Sequence, residues 1–514
     1  MRARRRFALR AAVLCAALCG QAAHAADWLR AQSEHFTITT DSSERRAAEY
    51  LQELEALHHV VLLIMGVEPA KTQAKPRFEL YLLRDPRDLA KVRPHFANGI
   101  GGVHMLCSEG SVAYVGLPSW GLGHAEDPGL QILFHEYAHH VMFQYATAFY
   151  PAWYVEGFAE FFGKSQISGD KVVLGDTARG NALWLRSRPW IDFQRVLKPP
   201  FKATGDKDAD RSDFEAFYNQ SWLLVHYMLS DSARTKLFND YFARLGEGED
   251  PIAAFEPATG IPVAKLAGAL RRHLDNLPVV AVSSGRSDKG AVRVEALPAE
   301  VDGYLLDASV LRTCAPKAQG QAILQRLKAQ EAKGNAPVEL KLARARAEFL
   351  FGEPKAALAA LQELAAAHET SFDAQHLLGR ALAESADELE GEARTAARAQ
   401  ARAQLFKAYR LQKNDAPNLY QMARVMAVDG VNANVLNAAQ GARALAPGVG
   451  TFATFEALVD LDAGERTRAL RALAPLASNP HDPAYAARMR AAMQAIRAGL
   501  SRNEVQRAMS ETVP

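Results

Sequence analysis

Residues 135–163 hold side chains whose types and spacing are suited to binding a metal ion. His135 and His139 are one helical turn apart, so both imidazoles project from one face of a helix, with Glu136 about 100° round from them. In this H-E-x-x-H pattern two imidazoles bind one zinc ion, and a carboxylate lies beside the water that the zinc holds. The pattern therefore predicts zinc-dependent hydrolysis with Glu136 as the general base.

A catalytic zinc ion takes three protein ligands and keeps its fourth position for water. The third ligand is expected from residues 153–160, which form the sequence WYVEGFAE. Glu156 and Glu160 would share one face of a second helix there. We expect Glu156 to bind the metal and Glu160 to hold a ligand histidine through its other ring nitrogen.

An H-E-x-x-H helix followed after a short interval by a W-x-x-E-G-x-A-E helix resembles the gluzincin zinc metallopeptidases, the broad group that includes thermolysin and the aminopeptidases. The resemblance covers roughly residues 34–275, and only these two helices carry specific motifs. It implies an α+β, zincin-like domain that hydrolyses peptide bonds. Sixteen residues separate His139 from Glu156, slightly fewer than in the best-known gluzincins, so the connecting loop must be tighter.

The resemblance also implies two further parts of the site. The last strand before the zinc helix, here Ser111–Leu117, is where the family pairs with an extended substrate by strand addition; an ordinary edge strand is an equal alternative. Family members commonly offer a Tyr or His from a helix after the third ligand to stabilise charge on the carbonyl oxygen. On the helix predicted over Phe214–Ser230 we choose Tyr218 for this role, whereas a core position suits His226 better.

The elements that must position these residues are visible in the preceding sequence. Residues 35–40 (HFTITT) alternate as a strand does, and Asp41-Ser42-Ser43-Glu44 is typical of the start of a helix, which we expect to reach about Met65. Further strands are predicted over Phe78–Leu83 and Ser111–Leu117. The order strand, helix, strand, strand and zinc helix indicates an α+β domain.

The first 25 residues indicate export. Five arginines precede an apolar run from Ala11 to Leu18, and Ala23-His24-Ala25 supplies a small-x-small cleavage site. The run is well short of the ~20 residues that a spanning helix needs, so we expect a cleaved signal peptide and a secreted protein, in a bacterium a periplasmic one. No later segment approaches a transmembrane span.

Composition restricts the partners. The chain has 514 residues, of which 49% are hydrophobic and 23% charged, as in globular proteins of two or three domains. The formal charge of the whole chain is +2. Without the five arginines of the signal, 55 basic and 58 acidic residues remain, so the charge is −3 and no basic surface for nucleic acid is predicted.

Two cysteines, Cys107 and Cys314, remain after removal of the signal. They either pair in an oxidising compartment or stay as two buried thiols.

The C-terminal half contains a repeat. Residues 352–361 (GEPKAALAAL) and 464–473 (GERTRALRAL) share the pattern G-E-x-x-x-A-L-x-A-L, and their offset of 112 residues fits three units of slightly over 34. This resembles degenerate tetratricopeptide repeats over roughly residues 320–510. Such helix pairs stack into a solenoid that either captures a protein partner or stabilises the domain before it.

These observations predict four segments: a signal peptide at 1–25, a gluzincin-like metallopeptidase domain at 26–275, a linker or small adapter at 276–318, and TPR-like helical repeats at 319–510. The predicted function is zinc-dependent peptide hydrolysis, and the absence of a recognisable amine-binding acidic pair favours endopeptidase action. The alternative is a metal-binding scaffold or assembly protein without turnover that acts through its repeats.

Overall fold

The computed structural model of the protein describes residues 28–68, 76–94, 102–117, 128–145, 150–175, 180–198, 206–284, 291–477, 479 and 482–510. The segment 1–25, for which we expect a signal peptide, lies outside the described residues. Among the residues that are described, no helix is both long enough and apolar enough to span a bilayer.

Two sheets form the frame of the first half in the described ranges. The strands, in chain order, are β1 (Leu29–Gln32), β2 (Phe36–Thr40), β3 (Phe78–Leu83), β4 (Gly102–Cys107), β5 (Gly110–Gly116), β6 (Gln166–Ser168), β7 (Lys171–Leu174), β8 (Val280–Ser283) and β9 (Arg293–Ala296). The larger sheet has the order β4-β5-β3-β2-β1-β9 and is mixed, because β3 lies parallel to both β2 and β5. The smaller sheet has the antiparallel order β6-β7-β8.

Ten helices of the described residues pack around these sheets. They are α1 (Glu44–Met65), α2 (Leu89–Val92), α3 (Pro128–Tyr145), α4 (Ala152–Gly163), α5 (Asn181–Ser187), α6 (Phe193–Leu197), α7 (Lys207–Leu229), α8 (Ser232–Glu247), α9 (Pro251–Thr259) and α10 (Val263–Asp275). Helix α1 begins where the Ser43 side chain accepts from the Arg46 amide and ends at Gly66, which has φ +65°. The predicted order of strand, helix and strands before α3 is confirmed, with β1 and β4 added to it.

The position of β5 corrects one expectation. We expected Ser111–Leu117 to edge the cleft, but β5 lies between β4 and β3, and both of its sides are hydrogen-bonded. A substrate cannot pair with it, because strand addition needs unpaired backbone groups. The end of the sheet on this side is instead β4, whose sequence GVHMLC begins with glycine and has no regular alternation of polar and apolar residues, so it was harder to recognise as a strand.

Residues 276–318 also differ from expectation. Strand β8 pairs with β7 in the smaller sheet, and β9 pairs with β1 at the end of the larger one. The segment therefore does not act as a linker; it completes both sheets of the first half. Its strands are only four residues each, and their partners lie far away in sequence, so a local pattern cannot show which sheet they join.

The second half, over the residues that are described, is a run of twelve helices, and from its second helix onward each packs against the next. They are α11 (Leu305–Val310), α12 (Lys317–Glu331), α13 (Val338–Phe351), α14 (Pro354–Ala367), α15 (Phe372–Asp387), α16 (Gly391–Leu411), α17 (Ala416–Ala427), α18 (Ala433–Leu445), α19 (Gly450–Asp462), α20 (Arg466–Ala477), α21 (Pro483–Arg497) and α22 (Arg502–Ser510). Gly379 of α15 allows a close approach, since a Cβ there would lie 2.8 Å from Leu405 Cγ of α16.

The shared decapeptide pattern occupies equivalent places in this run. Residues 352–361 lead from α13 into α14, and residues 464–473 lead from α19 into α20. Two further helix pairs, α15–α16 and α17–α18, lie between them, so the offset corresponds to three units as predicted. The second half is therefore a helical-repeat solenoid.

The turn between β4 and β5 joins the two halves. The side chain of Glu109 is 8% exposed and is paired with Arg380 of α15 and, at 3.5 Å, with Arg346 of α13. Arg312 binds Glu79 of β3 through two hydrogen bonds of 2.7 and 3.2 Å. Beside them the open question about the cysteines is answered, because Cys107 and Cys314 form a disulfide with a Cα–Cα distance of 5.8 Å. The solenoid is thus attached to the first half covalently and by buried ion pairs.

We expect the double variant Cys107→Ser, Cys314→Ser to lower the free energy of unfolding by about 2–4 kcal/mol, since a cross-link over 207 residues strongly restricts the unfolded chain. Circular dichroism during denaturant unfolding measures the effect. The reduced wild-type protein is the control and should match the variant. Equal midpoints for the oxidised protein and the variant would contradict the expectation.

Candidate metal centre

Helix α3 presents the two histidines on one face. Their Nε2 atoms lie 3.1 Å apart; His139 is buried, and the side chain of His135 is 16% exposed. Apolar neighbours on the same helix, Leu133, Phe134 and Val141, are fully buried in the core and fix its position. The local sequence therefore dictates both the turn-to-turn spacing of the imidazoles and the burial of their helix.

Glu156 of α4 faces both imidazoles. Its carboxylate has no solvent exposure, with Oε2 3.6 Å from His135 Nε2 and Oε1 3.6 Å from His139 Nε2. One ligand atom from each of the three residues lies within 4.8 Å of the other two. Around a tetrahedral ion with bonds of about 2.0–2.1 Å, ligand atoms are about 3.3–3.4 Å apart. Two imidazoles and a carboxylate at these separations fit a zinc ion.

A glycine sets the position of α4. A Cβ on Gly157 would lie 2.3 Å from the backbone oxygen of Ser221, so α4 and α7 touch at a distance that only glycine permits. This contact places Glu156, the preceding residue, deep between α3 and α7. The glycine of the E-G-x-A-E pattern is therefore required by helix packing, because any side chain at this position would collide with the backbone of α7.

Glu160 holds His135 from the side opposite to the metal position. Glu160 Oε1 lies 3.3 Å from His135 Nδ1, and Asn181 at the start of α5 donates a 3.1 Å hydrogen bond to Oε2. Burial alone would lower the pKa of His135, but the hydrogen bond and charge of Glu160, with Glu156 and Glu136, outweigh it and raise that pKa to about 9. A carboxylate on Nδ1 leaves Nε2 free to bind metal.

Asn181 is a site residue that sequence reasoning missed. It is buried and donates to Glu160. Burial alone would raise the pKa of Glu160, but the hydrogen bond and charge of His135, the charge of Lys164 and the hydrogen bond from Asn181 together lower it below its ordinary value. No motif surrounds it, because its position depends on where α5 packs against α7.

Tyr218 of α7 lies beside the same carboxylates. Burial and the charge of Glu156, followed by Glu160 and Glu136, raise the pKa of Tyr218 above its ordinary value. The phenol therefore stays protonated at neutral pH and is a hydrogen-bond donor. Glu136 is half-buried, and its charge acts on both His135 and Tyr218. The structure thus brings the ligand atoms of His135, His139 and Glu156 together and sets Glu160 against His135, and it leaves Glu136 and Tyr218 within electrostatic influence of this group.

The remaining histidines have other surroundings. His226 is buried, with Nδ1 2.9 Å from His273 Nε2, and burial lowers its pKa to about 4. His104 pairs with Ser111 at 2.8 Å, and His140 packs against Phe78 with ring centroids 4.7 Å apart. A core position for His226 agrees with the expectation from sequence.

The comparisons with known proteins found similarity to solved structures of helical-repeat proteins. No protein-family model matches the chain, and no curated protein matches it. TTC0263, a thermophilic TPR protein in Thermus thermophilus, is 19% identical with a TM-score of 0.32, and the match covers 40% of this chain and 98% of that one. MamA is 21% identical with a TM-score of 0.25, covering 31% and 90%.

A third solved structure, a tetratricopeptide repeat protein from Parabacteroides merdae ATCC 43184, is 12% identical with a TM-score of 0.27. That match covers 54% of this chain and 96% of the other.

We expect Gly157→Ala to destabilise the protein by about 1–3 kcal/mol, because the new Cβ must push α4 away from α7. The same displacement should weaken zinc binding, since Glu156 moves with α4. Thermal unfolding and zinc titration measure the two effects. Gly268→Ala is the matched control: its nearest neighbour would be Arg272 Nη1 at 3.6 Å, so it should leave zinc binding unchanged and stabilise the protein by up to about 1 kcal/mol through helix propensity.

We expect Glu160→Gln to weaken zinc binding about 10- to 100-fold, since the uncharged amide no longer supports His135 through Nδ1. Zinc affinity measured by competition with a chromophoric chelator tests this. An affinity equal to that of the wild-type protein would show that Glu160 does not support the ligand.

Proposed function

We propose that the protein is a secreted zinc-dependent peptidase. The observation that carries the proposal is the cluster of His135, His139 and Glu156, whose ligand atoms lie within 4.8 Å of one another, while the charges of Glu156 and Glu136 act on Tyr218. A carboxylate with no solvent exposure is costly unless a cation compensates it, and the donor set of two imidazoles and one carboxylate is that of catalytic zinc sites. The disulfide supports export, because such bonds persist in oxidising compartments.

The chemistry follows from the roles of the side chains. Bound zinc would polarise the scissile carbonyl and make its water a nucleophile near neutral pH. The carboxylate of Glu136, next to a ligand on the same helix, would accept the proton and return it to the departing amine. The protonated hydroxyl of Tyr218 would donate to the oxygen on which charge develops. Glu160 would keep His135 in the orientation that this arrangement needs.

A scaffold that acts through its repeats is the second candidate. Helical solenoids commonly bind protein partners on one face. In this chain, however, the first helices of successive pairs, α13, α15, α17 and α19, contribute residues that face the first half. Arg497 of α21 adds a 2.7 Å hydrogen bond to the Gly246 carbonyl of the first half. A partner would therefore have to bind another face of the solenoid.

Two variants of the mature protein separate the candidates. We expect Glu136→Gln to retain one zinc per chain and to lose peptide hydrolysis by at least about 100-fold, because it removes the base and no ligand. Glu156→Ala should lose both. Metal content by mass spectrometry and cleavage of a peptide library are the measurements. Hydrolysis that survives Glu136→Gln would disprove the base, whereas a folded wild-type protein that binds zinc without any hydrolysis would favour the scaffold.

A further inference from the structure

A cavity of about 250 Å³ lies between the zinc helix and the solenoid. Its wall on the first half includes His140, Phe143 and Gln144 of α3 and the end of β4, and its opposite wall includes Arg346. The volume is slightly below the ~300–1,000 Å³ of typical ligand sites, so it suits one segment of a chain rather than a folded partner.

The aromatic ring of Phe143 lies between this cavity and the candidate metal centre. Phe143 lines the cavity and stacks on the imidazole of His139, with centroids 6.2 Å apart and planes inclined by 15°. On the solenoid side, a Cβ on Gly448 would lie 2.8 Å from Leu106 of β4 and 3.8 Å from Phe143. The cavity is therefore adjacent to the proposed active site and is closed by the repeats.

Arg346 is a buried cation whose donors are incompletely used. It is 8% exposed, and its contacts with Glu109 and Asp373 are 3.5 and 3.8 Å long. Hydrogen bonds from a guanidinium to an oxygen span about 2.7–3.2 Å, and within the described ranges no residue provides one of that length to Arg346. Arg346 lines this cavity, and its planar guanidinium, which carries five N–H donors, retains capacity to bind an acceptor.

The acidic side chains that line the cavity with Arg346 are Glu79, Glu109, Asp373 and Asp415. Glu109 is shared with Arg380, Glu79 is held by Arg312, and the side chain of Asp373 is 64% exposed and therefore screened. Asp415 accepts a hydrogen bond from the Asn418 amide, and burial raises its pKa above the ordinary value, so its carboxyl opposes an anion less than an ordinary aspartate would. Burial lowers the pKa of Arg346; Glu109 and Asp373 oppose this effect, and Arg312 and Arg380 add to it. A ligand carboxylate would relieve this unfavourable burial, and two parallel hydrogen bonds to a guanidinium are the preferred geometry.

We propose that the cavity is a substrate subsite in which Arg346 binds a carboxylate of the peptide, either an acidic side chain or the C-terminal group. The proposal rests on the proposed peptidase function and adds a specificity to it. It also gives the solenoid a role in substrate recognition, since Arg346 belongs to α13. We expect the protein to prefer peptides in which the carboxylate lies on whichever side of the scissile bond extends into the cavity.

Matched pairs of peptides test the subsite. One set of N-acetylated peptides compares Glu with Gln at each position, and a second compares the free C-terminus with the amide. We expect the wild-type protein to prefer the carboxylate form of one set about 10- to 100-fold in kcat/KM, the range of a charge-assisted hydrogen bond. Arg346→Met should reduce the preference to about twofold or less, and Arg346→Lys should leave an intermediate one.

Controls separate specificity from folding. Arg326→Met removes an arginine whose side chain is 53% exposed and paired with Asp307, and it should leave the preference unchanged. Zinc content and the thermal midpoint verify that each variant is folded. Hydrolysis by the wild-type protein without a carboxylate preference would overturn the subsite and leave the peptidase function intact.

Binding measured on Glu136→Gln distinguishes the remaining outcomes. Arg346-dependent binding of carboxylate peptides, when the wild-type protein hydrolyses none of them, would confirm a carboxylate-binding site at Arg346 and contradict the peptidase function on which its role as a substrate subsite rests. Calorimetry with inorganic phosphate tests a free anion as the ligand. Phosphate binding that depends on Arg346 and is as tight as that of the peptides would overturn the assignment of a peptide carboxylate.

Discussion

The burial of one carboxylate determines how the first half is built. Glu156 has no solvent exposure and faces two imidazoles, an arrangement that is stable only where the negative charge is compensated. The histidines belong to α3 and the carboxylate to α4, so these helices must pack in one register. Gly157 makes that register possible, because it allows α4 to touch the backbone of α7. The same packing brings Tyr218 to the carboxylates.

The attachment of the solenoid is a second buried charge arrangement. Glu109 extends from the turn of the β4–β5 hairpin into a group of arginines that includes Arg346 and Arg380. An ion pair that is withdrawn from water is stabilising only if its geometry is well fixed. The disulfide beside it fixes the hairpin against the start of the solenoid. The two halves therefore meet through a rigid junction rather than through a flexible linker.

This junction changes what the repeats are expected to do. A free solenoid presents its face to partners, whereas here the first helices of several pairs line a cavity beside α3. Phe143 lines this cavity and stacks on His139, so the helical half lies one aromatic ring away from the candidate metal centre.

The sequence by itself determined the features that depend on short spacings. The four-residue interval between His135 and His139, the shared face of Glu156 and Glu160, the strands around β2 and β3, and the repeat offset follow from helix and strand periodicity. The position of Tyr218 was predicted only through a family resemblance, and packing places it at the site.

Only the tertiary structure decided the features that depend on distant partners. It placed β5 inside the sheet, paired β8 and β9 with strands of the first half, joined Cys107 to Cys314 over 207 residues, and aligned Asn181 with Glu160. It also placed Arg346 in the wall of the cavity between the two halves. A periodic pattern records which face of an element is buried, but not which surface buries it, because that choice is made by the summed packing of the whole chain.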